Sequence, residues 1–167
     1  MEIRAYEPSD NKNFLEFYEN LCNENDKIVA SKEEITKKME KLEKDIDNHH
    51  KYKQVFIALD DENIVGFLAI KRMHFEKLRH TAKFTMGVLE DYQEDEGVGS
   101  KLVEKALEWA EDNDIKRLEI HVVEDDDNLE DLLDDLDFSK ESKRKSTIKI
   151  KDDYHDEIVM VRKVGKN

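Results

Sequence analysis

The residues best placed to do chemistry are Gly97-Val98-Gly99-Ser100, where an apolar run ending at Val88-Leu89 passes through a short loop and opens into a run with helical spacing. Glycines at such a turn let backbone N–H groups approach a ligand, and the start of a helix carries partial positive charge, so the segment suits a pyrophosphate. Taken alone, a glycine pair at a strand–helix turn is as readily structural as functional. A dinucleotide-binding fold would need a third glycine and an early βαβ unit, and the chain has neither. Other reactive types carry less. Cys22 sits on the inner edge of an amphipathic run and reads as a packed thiol. His49 and His50 are sequence neighbours that diverge on a helix, and His74 and His80 lack Cys or carboxylate partners at ligand spacing, so no metal site is expected.

The elements that must position that turn follow from hydrophobic periodicity. Met1–Tyr6 alternates as a short strand. Pro8-Ser9-Asp10 starts a helix carrying Phe14, Leu15, Tyr18 and Leu21 on one face. Ser31-x-x-Glu34 is a capping box, opening a second helix with the stripe Ile35, Met39, Leu42 and Ile46. Gln54–Leu59 and Ile64–Ile70 flank the turn cluster Asp60-Asp61-Glu62-Asn63 and predict a hairpin. Thr81–Leu89 is another strand. The helix after Gly97 presents Val98, Leu102, Val103, Ala106, Leu107 and Ala110. Arg117–Val123 is strand-like, Leu129–Leu136 a short acidic helix, and Ser146–Ile150 with Glu157–Val164 a closing hairpin.

The chain has 167 residues, which fits one domain spanning 1–167. Its formal charge of −14 argues against sequence-independent nucleic-acid binding and against docking on anionic lipid. A cationic small molecule or a basic protein suits that field better. A single cysteine asks for no oxidising compartment, and no apolar run is long enough for a membrane span. Without a signal-peptide pattern at Met1-Glu2-Ile3-Arg4, a cytoplasmic location is expected. Charge is also segregated: Glu124–Asp137 carries nine acids and no base, and Lys140–Lys151 six bases and one acid. Solvated faces account for both runs.

Taken together, several segments resemble the GNAT acyltransferase superfamily over nearly the whole chain. Ile64-Val65-Gly66-Phe67 is similar to its second-to-third-strand hairpin, and Met86-Gly87-Val88-Leu89 to the strand that pairs with pantetheine. Gly97-Val98-Gly99-Ser100-Lys101-Leu102 resembles the phosphate turn, Leu107-x-Trp109-Ala110 the helix beyond it, and Asp156-Glu157-x-x-Met160 a common ending. The resemblance implies an α/β (α+β) domain whose mixed, mostly antiparallel sheet has about seven strands, with helices on both faces. It also implies an N-acetyltransferase, without metal, that moves acetyl from acetyl-CoA to a primary amine by direct attack. The acceptor is a small molecule or a protein, with a cationic one favoured by the charge, and the closing hairpin would suit a homodimer.

On the same resemblance Met86, Gly87 and Val88 would hold pantetheine, and Asp95, Glu96, Gly97, Val98, Gly99 and Ser100 would cradle the pyrophosphate. His121 stands where many relatives place a carboxylate base, and an imidazole can take up a proton near neutral pH. Glu119 shares its face by strand alternation and is the second candidate. Three departures stand out. Glu94 occupies a position where the family has Arg or Gln, and one extra residue separates Val88 from Gly97. Glu90, Asp91, Glu94, Asp95 and Glu96 place carboxylates beside an anion site. Where the family carries Asn, Tyr and Gly-Phe after the fifth strand, this chain has Asp126, Leu133 and Asp137-Phe138. Asp126 would still touch the cofactor, but Leu133 cannot protonate a leaving thiolate. The resemblance therefore implies slow catalysis; a tyrosine at Leu133 would fit if the cleft there is open and would overpack the fold if Leu133 lies in the core. The alternative is a protein that keeps the fold as an acyl-CoA sensor or protein-interaction module.

Overall fold

The computed structural model describes residues 1–44, 51–94 and 97–165, with backbone alone for 42–44. Ile46, His49, His50, Asp95 and Glu96 lie outside the described residues, as does the side chain of Leu42. The strands are β1 (Glu2–Ala5), β2 (Lys53–Asp60), β3 (Asn63–Arg72), β4 (Thr81–Val88), β5 (Arg117–Val123), β6 (Ser139–Ile150) and β7 (Asp153–Lys163). The described helices are α1 (Asn11–Glu24), α2 (Lys32–Lys44), α3 (Val98–Asp112) and α4 (Asp127–Asp135). The seven strands form one sheet in the order β1-β2-β3-β4-β5-β7-β6. Every pairing is antiparallel except β4 with β5.

Strand alternation divides the interior into two layers. On the front, Ile57, Leu59 and Phe67 pack with Phe14, Phe17, Tyr18 and Leu21 of α1 and Met39 of α2. On the back, Leu68, Phe84, Met86, Leu118 and Ile120 pack with Val98, Leu102, Val103 and Ala106 of α3 and Leu133 of α4. The capping box forms as the sequence requires: Glu34 N–H donates to Ser31 Oγ at 3.2 Å and Ser31 N–H to Glu34 Oε1 at 3.4 Å. Gly97 is the N-cap of α3 with φ 66°, a left-handed conformation that glycine adopts without strain.

The closing hairpin is the main difference from the sequence expectation. β6 begins at Ser139 rather than Ser146 and β7 at Asp153 rather than Glu157. β6 is an edge strand that is solvent-exposed along most of its length, so it needs no apolar alternation, and its lysines protect the edge. The basic run is this strand.

Asp10 anchors α1 against the sheet edge. It is 8 % exposed and accepts 2.8 Å bonds from Arg4 Nη1, Arg4 Nη2 and the Glu7 N–H. The Arg4 hydrogen bond holds its carboxyl below the usual carboxylate range. Asp10→Asn should therefore destabilise the protein by about 1–3 kcal/mol at neutral pH. The carboxylate's contribution is complete above the unfolded-state pKa of about 3.9 and is lost as pH falls through the depressed folded-state value. Urea unfolding of the two proteins should differ at pH 7 and converge under strongly acidic conditions.

Candidate functional site: a gap between two parallel strands

β4 and β5 pair only through Thr81–Arg117, Ala82–Leu118 and Lys83–Glu119. Beyond that point β4 continues against β3 to Val88, and β5 continues against β7 to Val123. The two strands therefore diverge. Along β4 the backbone groups alternate in direction: His80 C=O accepts from Lys116 and Arg117 N–H, while Leu89 N–H donates to Val65 C=O of β3. That parity turns the backbone groups of Met86 and Val88 into the gap and those of Gly87 back toward β3. Polar backbone facing a gap needs a partner. For Val88 one is supplied internally, since Gln93 Nε2 donates to its carbonyl at 3.2 Å. The Gln93 Oε1 accepts from Asn128 Nδ2, also at 3.2 Å, so one side chain ties the end of β4 to the start of α4.

The gap opens into a cavity of about 390 Å³ that runs through the sheet. Its back half is lined by Met86 and Val88, by Gly97, Gly99 and Ser100 at the start of α3, and by Leu129 and Leu132 of α4. The first N–H groups of α3 have no acceptor within the helix and point out of its N-terminus. A side chain at Gly99 would put its Cβ 2.8 Å from Leu132 Cδ2, so glycine there lets α4 close over the turn. Val98 is fully buried in the core beneath. Asp126, the N-cap of α4, also lines this half, and burial pushes its carboxyl above the ordinary range.

The front half lies toward α1 and α2. Gly87 belongs to it by alternation, because a Cβ there would meet Leu21, Phe67 and Ile28. Thr85, Phe67, Ala69 and Tyr18 form the floor, and Ile28, Val29, Ala30 and Ile35 form the wall. Tyr18 O–H donates to Ala30 C=O at 2.8 Å and pins the loop between α1 and α2, and burial raises its phenol. His121 enters from β5. Its Nε2 lies 3.2 Å from Glu119 Oε2, and its Nδ1 lies 3.2 Å from Arg144 Nη1 and 3.7 Å from Glu157. A carboxylate can only accept and a guanidinium can only donate. The tautomer that satisfies both contacts has its proton on Nε2 and presents the Nδ1 lone pair to Arg144. Glu119 stands one row below, outside the cavity lining. Burial opposes its charge, yet Arg117 (3.0 Å), Lys83 (3.2 Å) and His121 together hold it below the ordinary carboxylate range.

Three comparisons with known proteins bear on this geometry. A family model described as "Acetyltransferase (GNAT) family" matches residues 11–138. This chain belongs to the GNAT acetyltransferase family. No curated protein sequence matches it. Among solved structures, a GNAT-family acetyltransferase from Streptococcus pneumoniae superposes with a TM-score of 0.82 at 23% identity, covering 98% of this chain and 99% of that one. A ribosomal-protein-alanine N-acetyltransferase from Brucella melitensis gives 0.81 at 17%, covering 98% and 100%. A GNAT phosphinothricin acetyltransferase from Sinorhizobium meliloti, solved with acetyl-CoA, gives 0.80 at 14%, covering 98% and 88%.

The departures from the GNAT pattern now have positions. Asp137, just before Phe138, adopts φ 65°, a left-handed conformation that glycine adopts without strain. Of the two positions open to Leu133, cleft or core, the structure has the core: it is 0 % exposed in the back layer and is not among the cavity-lining residues. Helical rotation turns Leu129 and Leu132 to the cavity instead. Sequence reasoning also missed Gln93, Asn128 and the whole front wall. The one available signal was the apolar Ile28-Val29-Ala30 between two helices, an odd composition for a surface loop. Among the described residues, no cluster of three His, Cys, Asp or Glu could hold a metal, and no helix is long and apolar enough to cross a membrane. Because Leu133 is enclosed, Leu133→Tyr should destabilise the fold by about 1–3 kcal/mol through overpacking, read as a lowered urea midpoint.

Proposed function

We propose that this protein is an N-acetyltransferase that moves acetyl from acetyl-CoA to a primary amine by direct attack. The observation that carries the reading is the divergence of β4 from β5, which turns the backbone of Met86 and Val88 into a gap ending at the open start of α3. A pantetheine arm has amides that complement such a strand edge, and its pyrophosphate suits helix N–H groups at Gly97–Ser100. The residues present fit that cosubstrate: Gly99 leaves no side chain over the turn, and Met86 and Val88 offer backbone partners. The family and the acetyl-CoA complex of the Sinorhizobium relative support the same cosubstrate.

On this reading the acceptor amine enters the front half beside His121. The ammonium gives a proton to His121 Nδ1, displacing Arg144, whose guanidinium is retained by Glu157 at 3.6 Å. Glu119 orients the ring through Nε2 and stabilises the imidazolium that forms. The freed nitrogen lone pair bonds to the acetyl carbonyl carbon, the C–S bond breaks with its electron pair on sulfur, and the nitrogen's surplus proton passes to the thiolate or to water, leaving the neutral amide. A thiolate with a parent pKa near ~8.5 can depart without a dedicated acid. The enclosed Leu133 is therefore compatible with turnover, at a slower rate than a positioned acid would give.

Two measurements test this. Calorimetric titration should show acetyl-CoA and CoA binding, and Ser100→Glu, which sets a carboxylate at the helix start, should weaken both about tenfold or more. Unchanged affinity would remove the pyrophosphate from that turn, and binding without acetylation of any amine would identify an acyl-CoA sensor. His121→Gln should lower kcat by roughly 10²-fold or more and remove the acid limb of the rate profile while acetyl-CoA still binds. An unaltered profile would move the proton to Glu119 or to water.

A further inference from the structure

The two halves of the cavity differ in chemistry, and the difference selects the acceptor. Asp126, at the N-cap of α4 and within electrostatic reach of Lys27, is the only carboxylate among the described lining residues. The front half has an apolar floor and wall, and its cations are Lys27, Lys38 and the titratable His121. Lys27 Nζ donates to Asp125 C=O at 3.3 Å, so it spans from the α1–α2 loop to the turn before α4 along one rim. Lys38 lies one helical turn beyond Ile35 on the same face of α2. The carboxylates nearest His121, Glu119 and Glu157, are both engaged with cations. Among the described lining residues, a second positive charge in the front half would meet the ammonium groups of Lys27 and Lys38, and Asp126, within electrostatic reach of Lys27, is the one carboxylate.

The cations are also separated. His121 enters from β5, whereas Lys38 enters from α2, whose Met39 packs against the front layer over β2 and β3. Phe67, Ala69 and Thr85 lie on the sheet between them. Resting on the acetyltransferase reading above, we infer that the acceptor is a compact primary amine with an apolar body and an anionic group at the end away from the amine. The amine meets His121, the body lies on Phe67 and Ile35, and the anion meets Lys27 and Lys38. The size agrees: about 390 Å³, shared with the pantetheine arm, leaves room for one small molecule in front and little more.

The test uses the whole protein and three amines: 4-(aminomethyl)benzoate, benzylamine and spermidine. The first two differ only in the carboxylate, so their ratio of kcat/KM isolates the anion. That ratio should be about ten or more, the size of one charge-assisted contact, and spermidine should be the poorest of the three. In the Lys27→Gln/Lys38→Gln double variant the ratio should fall toward one through a rise in KM for the carboxylate substrate, and Lys27→Arg/Lys38→Arg should restore it. A wild-type ratio near one, or a preference for spermidine, would overturn the inference and leave the acetyltransferase standing. A ratio that survives the double glutamine variant would overturn the assignment of the anion to these lysines. Failure to acetylate any amine, despite acetyl-CoA binding in the parallel titration, would overturn the inference together with the reading on which it rests.

Discussion

The rest of the structure depends on a competition for hydrogen bonds at the centre of the sheet. β4 and β5 share three paired positions and then each follows a different neighbour, β3 on one side and β7 on the other. A strand cannot pair fully on both sides while the strands flanking it diverge, so polar backbone is left facing a gap inside the domain. Leaving such groups unpaired is unfavourable, and a ligand that supplies amides recovers the loss. The same divergence makes the cavity, separates its back from its front, and puts the start of α3 at its mouth. Without it, Gly97 and Gly99 would be an ordinary strand–helix turn.

Charge in this protein is organised locally. The acids of Glu124–Asp137 lie largely on the outside of α4 and its flanks, where water screens them. The basic residues of β6 face solvent at the sheet edge, and several are matched across the hairpin: Lys143 and Lys145 to Asp156, and Arg144 to Glu157. Between these regions, on the front of β4 and β5, Lys83, Arg117, Glu119 and His121 form a row in which the carboxylate is held ionised and the imidazole is oriented. A ligand in the cavity meets the lining groups within a few ångströms. A net charge spread over the surface acts on it weakly, and steers its approach more than it holds it.

The family relationship is carried by geometry more than by residue identity. Asp137 holds a left-handed conformation that glycine adopts without strain, and Gln93 bridges β4 to α4 from a loop rich in acids. The face of α4 that meets the cavity is Leu129 and Leu132, while Leu133 completes the back core beside Phe84 and Phe138. An apolar helix face closes this end of the gap. It excludes water well, and it supplies no proton.

The sequence by itself determined the elements and their order. Periodicity placed α1, the capping box placed α2, the Asp60–Asn63 turn placed the β2–β3 hairpin, and Arg117–Val123 was read with its observed bounds, because each depends on residues close in the chain. Alternation along β5 put Glu119 and His121 on one face before any contact was known. Tertiary structure decided the rest. That Leu133 is enclosed while Leu132 is not depends on how α4 is rotated against α3, which neither helix specifies alone. That β6 starts at Ser139 depends on pairing with β7, since an exposed edge strand leaves little apolar pattern to read. That Gly87 turns its backbone away from the gap, and that Arg144 from β6 reaches His121 on β5, follow from strand order and register. These are long-range relations, set by which surfaces pack and which backbone groups pair, and local residue patterns do not encode them.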